Sequence, residues 1–555
     1  MTTLDYIVLF GYFILITLFG VWLARKIKSS DAYFRGERKF SWWIMMGQAF
    51  GAGTHAEMPV AQAGATFHSG FATIWYQWKN MLITPFYWLL GPFYRRSERT
   101  TIGEMMEDRY GKTMGVVYFI FAILFFVFSM GSMLQGAAKI IAIASGGLIS
   151  ANGVVITMTL AFIIYSFAGG LVAAAYTDFI QSLLIIVLSV LIIPLGLKEV
   201  GGFTGMKAAL PENFFSLYDE SVGMDLFTIS MLTVNGILGI TSQPHMLTMY
   251  ATGRTERAGR IGQTFGSLFK RLMTIGWALT GIVIAALVLK NGVTLEDPEM
   301  AFGYGSRELL GSGLKGLMIA AIVAANMSTC SNFMVNTGAL FTHNIYLRYI
   351  NPNANDKKLL KMGRLSGLAI SLLGVLFALS IDNVLHAFLF TETTAAFIGI
   401  VFLGGMLWKR ANRFGGAAAI IASVGTYYAV NYHNTGIITL IYKWEPGPFA
   451  WSMIAGFTAF WLLSIVTKRE DPERIDAFFD RMRRKSDAEV PAGAEKPLAE
   501  TTGDDLILLD LPGWTKRSRW KNFFSRYRED IVGFVLSWVV VGLLILLAWS
   551  ILQIG

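Results

Sequence analysis

WWIMMGQAFGAGTHAEMPVAQAGATF, residues 42–67, is long enough to cross a bilayer, which takes about 20 apolar residues, yet it is built to break. Gly47, Gly51 and Gly53 lead up to Pro59. Proline has no N–H, so the carbonyl of His55, four residues earlier, loses its helical partner. Residues 234–247, VNGILGITSQPHML, repeat the pattern: Gly236 and Gly239 precede Pro244, which frees the carbonyl of Ile240. In lipid a freed carbonyl has to line a cavity or bind something. Such oxygens suit a hard cation such as sodium. The two breaks lie five spans apart, an odd spacing that points the broken helices in opposite directions. Each opens a five-span unit, so the units form inverted repeats around a site near the bilayer midplane. A proline kink alone would account for either break, but less well for their matched positions.

The rest of the chain supports a membrane reading. Hydrophobic residues make up 54% of the 555 and charged residues 15%, against roughly a quarter charged in a soluble protein. An aromatic share of 14% suits many interfacial anchors. About fourteen apolar runs have spanning length: 4–24, 42–67, 70–94, 113–140, 150–169, 171–197, 225–248, 268–290, 313–346, 364–381, 384–408, 415–432, 448–467 and 531–553. The first is too long for the core of a cleaved leader. Net charge is +9, but the basic residues cluster in short loops, as in Arg25, Lys26 and Lys28, Arg95, Arg96 and Arg99, or Lys409, Arg410 and Arg413. That clustering is the positive-inside pattern and belongs to topology, so no nucleic-acid partner is expected. It puts those loops in the cytoplasm and, with an even number of spans, both termini outside. The expected location is the cell inner (cytoplasmic) membrane. The single cysteine, Cys330, excludes an internal disulfide.

Glu57, Lys79, Asp178 and Glu392 fall on expected spans. Each costs roughly 2.5–3.5 kcal/mol at a helix centre, so together they call for a polar cavity inside a bundle. Residues 322–336, IVAANMSTCSNFMVN, add hydroxyls. Ala325, Ser328, Thr329 and Asn332 recur at i, i+3, i+4 and i+7, one stripe at about 100° per residue, with Ser331 about 60° from Ser328. Close helix packing also uses small and hydroxyl residues, so the stripe alone leaves both readings open. Residues 468–530 break the apolar pattern with DAEVPAGAEKPLAE and WTKRSRWKNFF. They read as a partly disordered cytoplasmic loop whose Trp514, Trp520 and Phe523 rest on the membrane surface.

Five motifs in order resemble the solute:sodium symporter family over about residues 1–432. They are KSSDAYFRGERKFSWW (28–43), TIGEMMEDRYG (101–111), AGGLVAAAYTDFIQ (168–181), AANMSTCSN (324–332) and GGMLWKRANRFGG (404–416). The resemblance implies an all-α integral membrane protein with a five-plus-five inverted-repeat, LeuT-like core at 42–408, its repeats at about 42–197 and 225–408. Around that core lie a first helix and loop (1–41), two peripheral helices (409–467), the 468–530 loop and a last helix (531–555). The resemblance also implies sodium-coupled symport of a small solute. Its principal sodium site would use the carbonyls of Gly51, Thr54 and Ala325 and the hydroxyls of Ser328 and Thr329. A second sodium site, present in some members, would fall on Asp178, Ser328 and Ser331, the alternative being that Asp178 only caps or pairs structurally. Sodium is then the coupling ion, and no further cofactor is expected.

Substrate residues are less legible. IWYQWKN (74–80) resembles the sugar carriers, but Gln77 stands in place of their glutamate and Met58 in place of a polar sugar ligand. Gln243, Pro244 and His245 resemble the proline carriers, but Gly236 and Ile240 replace the aromatics that pack on proline. Candidates for contact with the solute are His55, Met58, Gln77, Asn80, Gly236, Ile240, Gln243, Phe388 and Glu392. Glu392 would bind a cationic or hydroxylated solute or pair with Lys79. Asn344 replaces the aspartate usual after the ninth span, while His68, His343, His386 and His433 are expected at helix ends. The solute class stays open among sugars or polyols, amino acids and carboxylates. No hydrolytic triad, metal cluster or phosphate loop is recognisable, so no enzyme is expected. The alternatives are proton coupling through Glu57, Asp178 or Glu392, a transporter-like sensor, and a channel. The sensor is disfavoured because no signalling domain follows the last span.

Overall fold

The computed structural model describes residues 1–24, 40–51, 54, 57–147, 150–484 and 506–554. Several side chains within helices, among them those of 164–182 and Ser328, also lie outside the description. The described residues form helices joined by short loops, with no β-sheet among them. Among the described residues, the expected spans fall largely on helix, two of them with a break. Seven described helices are long and apolar enough to cross a membrane on their own. The fifth and sixth expected spans are carried by one uninterrupted helix, Ala151–Val200. Its 50 residues exceed twice the length that one crossing needs.

Both glycine–proline stretches are broken helices. The first divides into α1 (Trp42–Gly51) and α2 (Glu57–Ser69), with Pro59 in the first turn of α2, where its missing N–H costs nothing. The N–H of Thr54 bonds back to the carbonyl of Gly51 at 3.0 Å. The second divides into α3 (Leu226–Ser242) and α4 (His245–Ala251), with Gln243 extended between them. Here one expectation needs correcting. The carbonyl of Ile240 is not left free, because the chain tightens after it and the N–H of Gln243 reaches it at 3.3 Å. The next two carbonyls, Thr241 and Ser242, accept the hydroxyls of Tyr94 (2.6 Å) and Tyr118 (2.7 Å). Protein hydroxyls therefore satisfy this break.

Three further long helices frame the site: α5 (Trp75–Arg96), α6 (Lys112–Ala144) and α7 (Glu256–Asn291). They are joined by α8 (Leu314–Phe341) and α9 (Val384–Leu407). Close approach rests on glycine. A methyl group on Gly281 of α7 would lie 2.4 Å from the carbonyl oxygen of Ala63, and one on Gly399 of α9 would lie 2.0 Å from that of Leu238. The acidic loop LEDPEM positions α9. Glu299 accepts the N–H groups of Val384 (3.1 Å) and Leu385 (2.9 Å) at the helix N-terminus, where the dipole favours an anion, and it also pairs with Lys139 at 2.6 Å.

Two of the motifs meet. Arg109 donates to the carbonyls of Gly405 (2.7 Å) and Ala411 (3.0 Å), and Thr101 donates to Asn344 at 2.7 Å. His68 and His433 lie in the last turns of their helices, and His386 begins α9. His343 lies in the π-helical turn Thr342–Ile350 that follows α8. Part of the 468–530 stretch is ordered. Pro472–Arg483 forms an amphipathic helix burying Ile475, Phe478, Phe479 and Met482, held by Arg96 to the Met482 carbonyl (3.2 Å) and by Arg481 to Asp108 (2.5 Å). Glu470 precedes it. Burial pushes its carboxyl up, but hydrogen bonds from Arg413 outweigh that and hold it below the usual carboxylate range. Residues 485–505 lie outside the described residues. Trp514, Trp520 and Phe523 pack edge-on or stacked upon one another, with centroids 5.2–5.7 Å apart, and Trp520 remains exposed.

The Gly399 contact is backbone against backbone, so it cannot yield by rotating a side chain. Gly399→Val should lower the melting temperature by several degrees, the consequence of an overpacking cost of about 1–3 kcal/mol. Gly425→Ala, where nothing lies within 4 Å of the added methyl, should be tolerated in the same thermal denaturation experiment.

Candidate solute and sodium site

The site begins with a charge that lipid would not accept. Lys79 on α5 is fully buried, and its ammonium pairs with the carboxylate of Glu392 on α9. Asn80, the next residue, donates to the other oxygen of Glu392 at 3.2 Å. Phe388, one turn before Glu392, brings its ring to 5.3 Å from the Lys79 ammonium. Of the two sequence readings of Glu392, pairing with Lys79 is the one observed. Gln77 turns away to donate to the carbonyl of Met58 at 2.7 Å, fixing the first turn of α2.

Against Glu392 and Asn80 lies a cavity of about 100 Å³. It gathers six of the nine expected solute residues: Met58, Asn80, Ile240, Gln243, Phe388 and Glu392. Gln77 and Gly236 lie behind the wall, and a methyl on Gly236 would stand 3.0 Å from the Asn80 side-chain oxygen. His55 falls outside the described residues. His245 lines the cavity with its ring held by Phe125 (6.0 Å) and Phe333 (5.5 Å).

Sequence reasoning missed two residues, Lys270 and Arg271, which line the cavity at 5% and 4% exposure. The apolar run on α7 starts near 268, so both read as charges at a span's edge. The helix in fact starts at Glu256, which sets them about 20 Å along it at 1.5 Å per residue. The polar residues at 263 and 267 on the same face were the available signal.

The expected sodium ligands lie at the first break and on α8. Gly51 ends α1, and Thr54, in the break, is fully buried with its hydroxyl unpartnered. On α8, the Thr329 hydroxyl donates to the Ala325 carbonyl at 3.1 Å. Two oxygens at that separation can both touch one hard cation with metal–oxygen distances of ~2.4 Å. Ser331 is buried with an unpartnered hydroxyl, whereas the side chains of Ser328 and Asp178 lie outside the description. Asn326 of α8 donates to the Met133 carbonyl at 2.6 Å. Three residues further along α6, a methyl on Gly136 would stand 2.8 Å from the Glu57 Cα. The hydroxyl helix and the far side of the first break therefore rest on adjacent turns of α6.

Comparison with known proteins agrees with this architecture. The family model described as sodium:solute symporter family matches residues 33–423. The osmoregulated proline transporter OpuE of Bacillus subtilis is 28% identical over 482 residues, covering 82% of this chain and 94% of that protein. The sodium/glucose cotransporter of Vibrio parahaemolyticus is 25% identical over 466 residues, covering 76% and 84%. Among solved structures, a Na+-coupled sialic acid symporter in a substrate-bound outward-open state superposes with a TM-score of 0.70 at 20% identity, covering 85% of this chain and 99% of that one. Mhp1, a nucleobase-cation-symport-1 transporter, gives 0.54 at 13% identity, covering 81% and 99%. The fold is thus the LeuT-like one, and the protein is a multi-pass membrane transporter rather than an enzyme. With most of its length matched, the chain belongs to the sodium:solute symporter family.

Proposed function

We propose that this sodium-coupled symporter imports a small polar organic solute across the cytoplasmic membrane by alternating access, with the solute held in the cavity between the two broken helices. One observation carries the reading: the cavity is lined both by Met58, in the first turn after one break, and by Ile240 and Gln243, at the other. Paired breaks around one cavity are the arrangement in which a small hinge motion exposes a fixed site to either side.

Sodium is assigned to the Gly51 and Thr54 carbonyls, the Ala325 carbonyl and the Ser328 and Thr329 hydroxyls. Binding there would tie the first break to α8 and so favour the conformation that accepts solute. Asp178, Ser328 and Ser331 are assigned to a second sodium. Each positive charge moved inward gains about 2.3 kcal/mol per 100 mV, nearly fifty-fold in accumulation before the concentration gradient is added. Within the cavity, the Glu392–Lys79 pair neutralises itself. It holds Asn80 and Phe388 at the wall.

Three measurements in proteoliposomes test these assignments. Thr329→Ala should raise the sodium concentration for half-maximal uptake roughly tenfold, about 1.4 kcal/mol, at fixed pH; unchanged dependence would remove Thr329 from the site. Wild-type uptake should show a sodium Hill coefficient above one, and Asp178→Asn should bring it toward one. A coefficient of one in both would leave Asp178 a structural residue. Glu392→Gln or Lys79→Met alone should destabilise the protein by about 3–5 kcal/mol, because each strands a buried charge. The double variant should recover most of the melting temperature but little of the uptake.

A further inference from the structure

Once the Lys79–Glu392 pair is set aside, the cavity walls hold an excess of positive charge. The charged groups lining it are Glu57, Lys270, Arg271 and Glu392, and Glu392 is taken by Lys79. Two basic groups, Lys270 and the permanently charged Arg271, therefore face one carboxylate. Among the described residues Lys270 makes no ion pair and no side-chain hydrogen bond beyond the Thr274 hydroxyl contact with its backbone carbonyl. Arg271 spends one N–H on the Gln77 carbonyl at 3.3 Å, and its Nε has no partner. Both side chains are more than nine-tenths buried, so water does not offset them as it would at a surface.

From these groups we infer that the transported solute is a monocarboxylate, held by its carboxylate between the Lys270 ammonium and the Arg271 guanidinium. This rests on the symporter reading of the same cavity and names its substrate class. The guanidinium offers a planar fork that matches a carboxylate edge, and the neighbouring ammonium adds a point charge. Consecutive residues on a helix point about 100° apart, so the two reach the cavity from either side of one stretch of α7. A neutral sugar would leave the excess charge buried and uncompensated. Sodium binding nearby would make that worse, whereas an anion offsets it. A cationic solute would lack its counter-charge, since Glu392 is already bound by Lys79 and Asn80. The wall also carries apolar side chains, among them Met58, Phe125, Ile240 and Phe388, alongside polar ones such as Ser129, Gln243, Gln263 and Thr391, and the apolar ones suit a short hydrocarbon body behind the carboxylate.

The test is a thermal-shift screen of the purified full chain in sodium and in potassium. The probes are propionate, pyruvate and benzoate, then glucose, myo-inositol and proline, with chloride varied against sulfate. Stabilisation by at least one monocarboxylate in sodium alone is expected, with no shift from the neutral or zwitterionic solutes. Arg271→Gln and Lys270→Met should weaken that monocarboxylate at least tenfold. Lys270→Arg, which keeps the charge, should retain it and guards against loss by misfolding. Uptake of the monocarboxylate should carry one charge fewer per sodium-coupled cycle than uptake of a neutral solute would. Sodium-dependent stabilisation by a sugar or by proline but by no monocarboxylate overturns the inference and leaves the symporter reading standing. An equal shift from chloride alone overturns it too, as does the absence of any shift with all three carboxylates. Stabilisation that is the same in potassium would instead count against sodium coupling.

Discussion

The buried pair of Lys79 with Glu392 is the interaction on which the site depends. Two charges removed from water each carry a penalty of several kcal/mol, and only close approach with the remaining hydrogen bonds made brings that back. Here the partners come from helices more than 300 residues apart in sequence, α5 and α9, so the pair is also a tether between the two halves of the core. Asn80 completes the shell of Glu392, and Phe388 covers the ammonium. With that pair set aside, the ionisable carboxylate and basic groups left on the cavity wall are Glu57, Lys270 and Arg271. The pair therefore holds Asn80 and Phe388 in place on the wall.

A second constraint comes from the backbone. Each broken helix exposes carbonyls that lipid cannot satisfy. At the second break two tyrosines, one from α5 and one from α6, close Thr241 and Ser242, and Gln243 closes Ile240. That break is thereby a finished structural element, held from both sides. At the first break Thr54 keeps an unpartnered hydroxyl in a fully buried position, and Ser331 on α8 does the same. Tight glycine contacts, Gly281 against Ala63 and Gly399 against Leu238, bring the flanking helices close enough to hold both breaks in place.

Outside the core, arginines bind the connecting segments. Arg109 joins the short helix Ile102–Tyr110 to the end of α9, while Arg96 and Arg481 dock Pro472–Arg483 beneath α5. An amphipathic helix with four buried apolar residues was hidden in a stretch whose charge and Pro/Ala/Glu content read as a linker. Its apolar positions, Ile475, Phe478, Phe479 and Met482, follow the helical period. The signal was present locally but was diluted by averaging over the longer segment.

By itself the sequence determined the class, the positions of both breaks and the family. Apolar run length and the glycine–proline pairs act locally, through backbone geometry and transfer from water, and neither needs a partner elsewhere in the chain. It also marked part of the cavity wall, because Met58, Ile240 and Gln243 flank the breaks themselves. Only the tertiary structure decided how the charges sort. Whether Glu392 meets a solute or Lys79, whether Gln77 faces the cavity or the Met58 carbonyl, and whether Lys270 and Arg271 lie at a membrane edge or inside a wall all depend on which helix lies opposite. An ion pair forms over a few ångströms between residues hundreds of positions apart, and no local pattern encodes that distance.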